Sequence, residues 1–189
     1  MKNRPFTARF QQPFAFIFIL GLLSVMLAGC QLNASRVAKK YQNGIPRDSH
    51  LAIMPFVSHS PIPDEETVTL NRILLVQLAA VGIASTTSYE RPEASYPVPG
   101  YLADTYKLEQ FQIWARVRSI DLSISGEILK WQYDEQNRFS TAIQLKITDI
   151  ASGEEIWRTN GKKEGLPGED AYDVNRKLIA NLVATMPIQ

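Results

Sequence analysis

Apolar and polar residues alternate from Ile120 onward. Ile120, Leu122, Ile124, Gly126 and Ile128 share one parity, and Phe139, Thr141, Ile143, Leu145 and Ile147 repeat the pattern. A period of two puts such residues on one side of a strand. "EEIWRTN", starting at Glu154, makes a third strand after the turn residues Ala151-Ser152-Gly153. Three successive segments of this kind predict an antiparallel meander with one buried face. Earlier in the chain, "HLAIMPFV" from His50 to Val57 is a short apolar run that reads as a buried strand, and "IASTTSY" from Ile83 is a shorter β-like stretch.

Between these strands the period changes to that of a helix. Leu70, Ile73, Leu74, Gln77, Leu78 and Val81 recur at helical spacing, and Gly82 stops the run. Asp64 offers an N-cap, with Glu65 and Glu66 in the first turn where the helix dipole favours them. A second helix is predicted from about Leu102 to Val117, with Tyr106, Ile113, Trp114 and Val117 inward. A third covers roughly Asp170 to Met186, with Val174, Leu178, Leu182 and Met186 on one face. "SHSPIP" before the first helix and Arg91 to Gly100 before the second are connectors rich in proline. The order β-α-β-α-β-β-β-α predicts an α/β (α+β sandwich) fold: a small mixed sheet with an antiparallel meander and helices packed on it. No internal repeat or low-complexity tract interrupts it.

The N-terminus changes where this domain should reside. Lys2, Arg4 and Arg9 precede an apolar run from Phe14 to Leu27, and no acidic residue occurs before Asp48. That is a signal peptide's positive segment and apolar segment, short for a membrane-spanning helix of about 20 residues. It ends in Leu27-Ala28-Gly29-Cys30, which looks like a bacterial lipobox. Cys30 is the only cysteine of the 189 residues, so its acylation leaves no thiol for a disulfide or for catalysis. Gln31 after it, in place of aspartate, points in lipoproteins of this kind to the outer membrane. The chain then divides into a signal peptide (1–29), a lipidated N-terminus and tether (30–48) and one α/β domain (49–189). The tether contains Arg36, Lys39 and Lys40, and its r.m.s. reach is about 20 Å. The signal carries three positive charges and no negative ones, so the formal charge of +1 becomes −2 on its removal. Near-neutral charge gives no electrostatic footprint for nucleic acid.

Chemistry is sparse. His50 and His59 have no Cys, His or carboxylate at ligand spacing. There is no glycine-rich phosphate loop and no G-x-S-x-G elbow. Asp134 and Glu135 fall in a turn between strands. These readings predict no enzyme, no metal and no cofactor. The aromatic residues are core candidates first, Trp114 above all. Trp131 and Trp157 are also candidates for a membrane interface, where a ring is buried and its N–H stays wet. "NGKKEGLPGED", Asn160 to Asp170, reads as a mobile loop, either simply solvated or with Lys162 and Lys163 meeting lipid phosphates while Leu166 enters the acyl layer.

The chain resembles the PelC-type lipoproteins, within the wider set of outer-membrane lipoproteins that carry a TolB-amino-terminal-like, or CsgG-like, α/β domain. The resemblance spans about residues 50 to 187. It is carried by "LAIMPFVSHSPIP", by Ser125-Gly126 followed by Trp131-x-Tyr133, by Asp149-Ile150-x-Ser152-Gly153-x-x-Ile156-Trp157, and by Gly161-x-Lys163-x-Gly165. It implies export of Pel exopolysaccharide, a biofilm polymer, across the outer membrane by a homo-oligomeric ring. One side of such a ring presents an aromatic, basic face to lipid and the other an acidic funnel, for which Asp121 and Asp149 are the candidates here. Family members often carry a tryptophan where this chain has Leu166. The implied partners are outer-membrane lipid through acylated Cys30, a polysaccharide and a separate β-barrel exporter, since the chain lacks long amphipathic hairpins of its own. The competing expectations are a regulator of a cell-wall synthase and a subunit of another envelope assembly.

Overall fold

In the computed structural model of this protein, which describes residues 40–58, 62–90 and 103–189, the predicted periods become β1 (Leu51–Ile53), β2 (Val57–Ser58), α1 (Asp64–Ala80), β3 (Thr86–Ser88), α2 (Ala103–Val117), β4 (Leu122–Tyr133), β5 (Phe139–Asp149), β6 (Glu155–Glu164) and α3 (Ala171–Val183). The signal run, Cys30, Gln31, Arg36, Lys39, His59 and the connector Arg91 to Gly100 lie outside the described residues, as does the side chain of Tyr106. The sheet is mixed, in the order β3-β1-β4-β5-β6, with β2 also pairing β4. β1 is parallel to β3 and β4, while β4, β5 and β6 form the expected antiparallel meander.

The alternation sorts the two faces. Leu51, Ile53, Leu122, Ile124, Ile128, Ile143, Leu145 and Ile147 are buried in the main core with Leu70, Leu74 and Leu78 of α1 and Leu178 and Leu182 of α3. Ala52, of opposite parity, lies on the other face in a smaller core with Tyr89, Phe111, Ala115 and Ile120. So α1 and α3 cover one face and α2 the other. The Tyr89 ring meets Phe111 at 5.1 Å and Trp114 at 5.0 Å, both edge-on.

Three local expectations change. The second helix does turn Trp114 inward, but Ile113 and Val117 are 54% and 77% exposed, and the buried positions are Phe111 and Ala115. Pro63, not Asp64, occupies the N-cap of α1, with no side-chain cap bond; its ring has already set the extended backbone that precedes the helix. The stretch Tyr41 to Arg47, polar enough to read as tether, belongs to the folded unit that runs from Tyr41 to Gln189. Ile45 is fully buried, and its N–H donates to the carbonyl of Pro187 at 2.6 Å.

Candidate functional site

The strand directions give the domain two ends. At one end lie the β4–β5 hairpin and the β6–α3 connection. At the other lie the β5–β6 turn, the start of β4, and the meeting of Ile45 with Ile188. The basic and apolar candidates gather mainly at the first end. Trp131 pairs with Thr141, and Thr141 with Lys163, in one cross-strand row. The Trp131 ring meets Phe139 edge-on at 4.7 Å and packs against the cluster of Phe139, Ala171 and Val174. It is therefore a half-buried core residue. A bulge between Ile128 and Lys130 resets the register so that Trp131 and Tyr133 keep the core-facing side.

The loop expected at Asn160 to Asp170 is mostly strand. β6 continues to Glu164, so Lys162 and Lys163 are strand residues on opposite faces, Lys162 pairing with Ala142. Glycine in this stretch suggests a break, but Gly161 has a packing reason: an added Cβ would lie 3.0 Å from Leu182 Cδ2 and 3.1 Å from Leu178 Cδ1. Its bare backbone lets α3 approach the sheet. The remaining connection is a closed turn and not a mobile loop. The Glu169 N–H donates to the Leu166 carbonyl at 3.0 Å, and the Leu166 N–H donates to Glu169 Oε2 at 2.9 Å. Leu166 is held at the tip, 67% exposed. Glu169 also pairs with Lys177, and that hydrogen bond, ahead of the one from Leu166, holds its carboxyl below the usual glutamate range.

Lys163 is matched by the carboxylates of this end, so the basic face that the sequence suggests is electrically mixed. Asp170 caps α3, accepting from the Asp173 N–H at 2.8 Å. Glu66 lies near it, and its carboxyl is raised above the ordinary range chiefly by burial, then by repulsion from Glu65 and Asp170. The folded state therefore holds this proton more tightly than the unfolded chain. The stability linked to it grows as pH falls through the window above 4.5 and fades as pH rises. Glu66→Gln is expected to raise the urea midpoint at pH 7 and to leave it unchanged near pH 4; an equal change at both would show that charge is not the cause.

Trp157 and the acidic candidates lie elsewhere. Trp157 pairs with Ile147, six residues along β5 from Thr141, about 20 Å away, and its half-buried ring packs on the main core. Asp149 does not present its charge to a surface. It is 5% exposed, and its Oδ1 accepts from both the backbone N–H and the hydroxyl of Ser152, at 2.9 and 3.0 Å. It is the keystone of the β5–β6 turn. Asp121 is exposed and lines a cavity of about 370 Å³ with Gln112, Arg116, Ser119 and Ala151.

Other polar candidates have local partners. His50 Nε2 lies 2.8 Å from Thr87 Oγ1 across β1 and β3. Asp134 Oδ1 accepts from the N–H groups of Gln136 and Arg138, and the Arg138 bond holds its carboxyl below the ordinary range. Among the described residues there is no group of three metal-ligating side chains, and no helix is long and apolar enough to cross a membrane. What the sequence reading missed is the solvent side of the helices, where large apolar residues stand exposed.

The protein is a mixed sheet sandwiched by helices, and several of its charged groups serve turns and caps. The fold is PelC-like. The PelC dodecamer from Paraburkholderia phytofirmans matches with a TM-score of 0.59 at 19% identity, over 77% of this chain and 92% of that one. A single-substitution variant of that dodecamer matches with a TM-score of 0.61 at 18% identity, over 77% and 93%. No protein-family model and no curated protein matches the sequence.

Proposed function

We propose that this protein is a non-enzymatic outer-membrane lipoprotein that serves exopolysaccharide export as a homo-oligomer. In this reading it guides polymer from the periplasm to a separate β-barrel exporter. The observation that carries the reading is a PelC-like fold spanning nearly the whole PelC chain, placed behind the Leu27-Ala28-Gly29-Cys30 acylation motif. The copies would sit on the inner leaflet by acyl chains on Cys30. Deleting the gene should abolish surface polysaccharide and leave polymer in the periplasm, and the full-length gene should restore export. Unchanged surface polymer with altered cell-wall synthesis would instead establish the regulator role.

Membrane contact by Leu166, flanked by Lys163 and backed by Trp131, sets a condition on the tether. The folded unit begins at Tyr41, four residues before Ile45, which meets Pro187 at the end opposite Leu166. Cys30 is eleven residues upstream, a reach of about 36–40 Å at full extension. The 11 residues of β5 span about 35 Å, close to that reach. Leu166→Asp in a Cys30→Ser background is expected to weaken binding to phospholipid vesicles several-fold, read by flotation. No change would remove Leu166 from the membrane.

A further inference from the structure

The cavity of about 370 Å³ at the end opposite Leu166 is within the size range of small-ligand sites, about 300–1,000 Å³. It lies between two walls that backbone bonds hold in place. One wall is the last turn of α2 and the residues that end it. The Ser119 N–H donates to the Arg116 carbonyl and the Ile120 N–H to the Ala115 carbonyl, at 3.1 and 3.0 Å. Those paired bonds close a helix on a left-handed residue. The other wall is the β5–β6 turn, where the Asp149 carboxylate accepts from Ser152. The Ile150 N–H donates to the Asp121 carbonyl at 2.9 Å and ties the walls together.

Ser119 is out of place in this frame. Its φ is 53°, a left-handed position that suits glycine. Among the described residues the other non-glycine with positive φ is Asn137, in the β4–β5 turn, where asparagine tolerates it. The backbone gives no reason for serine at this point, but its side chain is on the cavity wall. Among the described residues the Ser119 hydroxyl, the Gln112 amide and the Arg116 guanidinium have no partner within the chain, and all three line the cavity. Arg118 is used elsewhere: its guanidinium lies 4.8 Å over the Trp114 ring. Asp121 completes the polar lining, and buried Ile120 and half-buried Ile150 supply the apolar part.

We propose that this cavity holds one sugar ring of a polysaccharide, with Gln112, Arg116, Ser119 and Asp121 on its hydroxyls. Guanidinium, carboxylate and amide groups are planar, and each offers two polar atoms to a pair of neighbouring hydroxyls. The two isoleucines meet the C–H face of the ring. Arg116 and Asp121 carry opposite charges in one lining, so the cavity selects neither an anion such as a lipid phosphate nor a cation. It selects a neutral ligand dense in hydroxyls. Both walls are already fixed, so binding orders little of the protein. Membrane contact by Leu166 would turn this end towards the periplasm, where polymer arrives. The site rests on the polysaccharide reading above and names where this chain touches the polymer.

The test uses the full-length lipoprotein in lauryldimethylamine oxide, a detergent without sugar, with binding read by saturation-transfer NMR. The probes are cellotetraose, which is neutral, a cationic chitosan tetramer and anionic tetragalacturonate. Cellotetraose should bind, and added salt should leave its binding unchanged. Binding confined to either charged probe, or no binding of any probe, would overturn the proposal. Ser119→Gly separates recognition from folding. It should raise the urea midpoint, because glycine suits the left-handed position, yet weaken cellotetraose binding several-fold and lower surface polymer in cells. Arg116→Ala should weaken binding at least as much. A more stable Ser119→Gly protein that binds as wild type does would overturn the site. Normal export by both variants, in cells where deletion abolishes it, would overturn the site and leave the export function standing. Unchanged surface polymer on deletion, with cellotetraose binding retained, would overturn the export function and leave the sugar site standing.

Discussion

Cys30→Ser is expected to move the protein from the outer-membrane fraction to the soluble periplasmic fraction, with a loss of membrane-bound material of two orders of magnitude or more. Each buried acyl CH₂ contributes about 0.8 kcal/mol, and a single chain binds a bilayer only marginally, with an association constant of about 10⁴ M⁻¹. Several chains on one residue make anchoring effectively permanent. Nothing in the described domain replaces them: no helix there can span a bilayer, and Leu166 is one exposed leucine on a turn with charges of both signs around it. Fractionation after osmotic shock measures the distribution. Retention of the serine variant in the outer membrane would show that protein contacts hold it there, and mass spectrometry of residue 30 would then decide whether an acyl chain is present at all.

Gly126→Ala is expected to destabilise the domain by about 1–3 kcal/mol, the usual cost of overpacking. An added Cβ at this position would lie 2.2 Å from Cε1 of Phe56 and 2.5 Å from both Cδ1 and Cζ. Phe56 is 5% exposed and sits between β1 and β2, both of which pair with β4. Its ring therefore lies on the sheet where β4 has no side chain of its own, and closes the gap between the two short parallel strands. Phe56→Ala alone should cost more, about 3–5 kcal/mol, by leaving a cavity. In the double variant the new methyl enters that cavity, so Gly126→Ala becomes neutral or favourable. Urea midpoints for the four proteins give the coupling. Equal cost of Gly126→Ala in both backgrounds would show that the ring is not what the glycine accommodates.

The two sites differ in how far the chain announces them. The alternation is strict from Leu122 to Ile128 and from Phe139 to Ile147, so element type and burial could be read directly there, whereas Ile120, counted with it, lies before β4 in the smaller core on the other face. The same reading gave Gly126 as one more member of the buried parity, without Phe56, because the partner is 70 residues away in sequence. On α2 the period was right and the face was half wrong. Ile113, Trp114 and Val117 are all large and apolar, and periodicity counts them alike whether they meet the core or stand in solvent. On β6 the glycines mimicked a loop, since a strand position under a helix and a turn position both demand a missing side chain. Asp149 was legible as an acid at a strand end, but its role as the acceptor that folds Ser152 back was not.

What the sequence settles by itself is whatever is local or chemical. The greasy run ending in a lone cysteine, the strand and helix periods, and the absence of any catalytic spacing all follow from neighbours within a few residues. Only the tertiary structure decides which side of a doubly apolar helix is free, that Tyr41 to Arg47 joins the core through Pro187, and that Leu166 stands at the end opposite the meeting of Ile45 with Pro187. Each of these depends on contacts between residues far apart in the chain, and a one-dimensional pattern carries no record of distance in space.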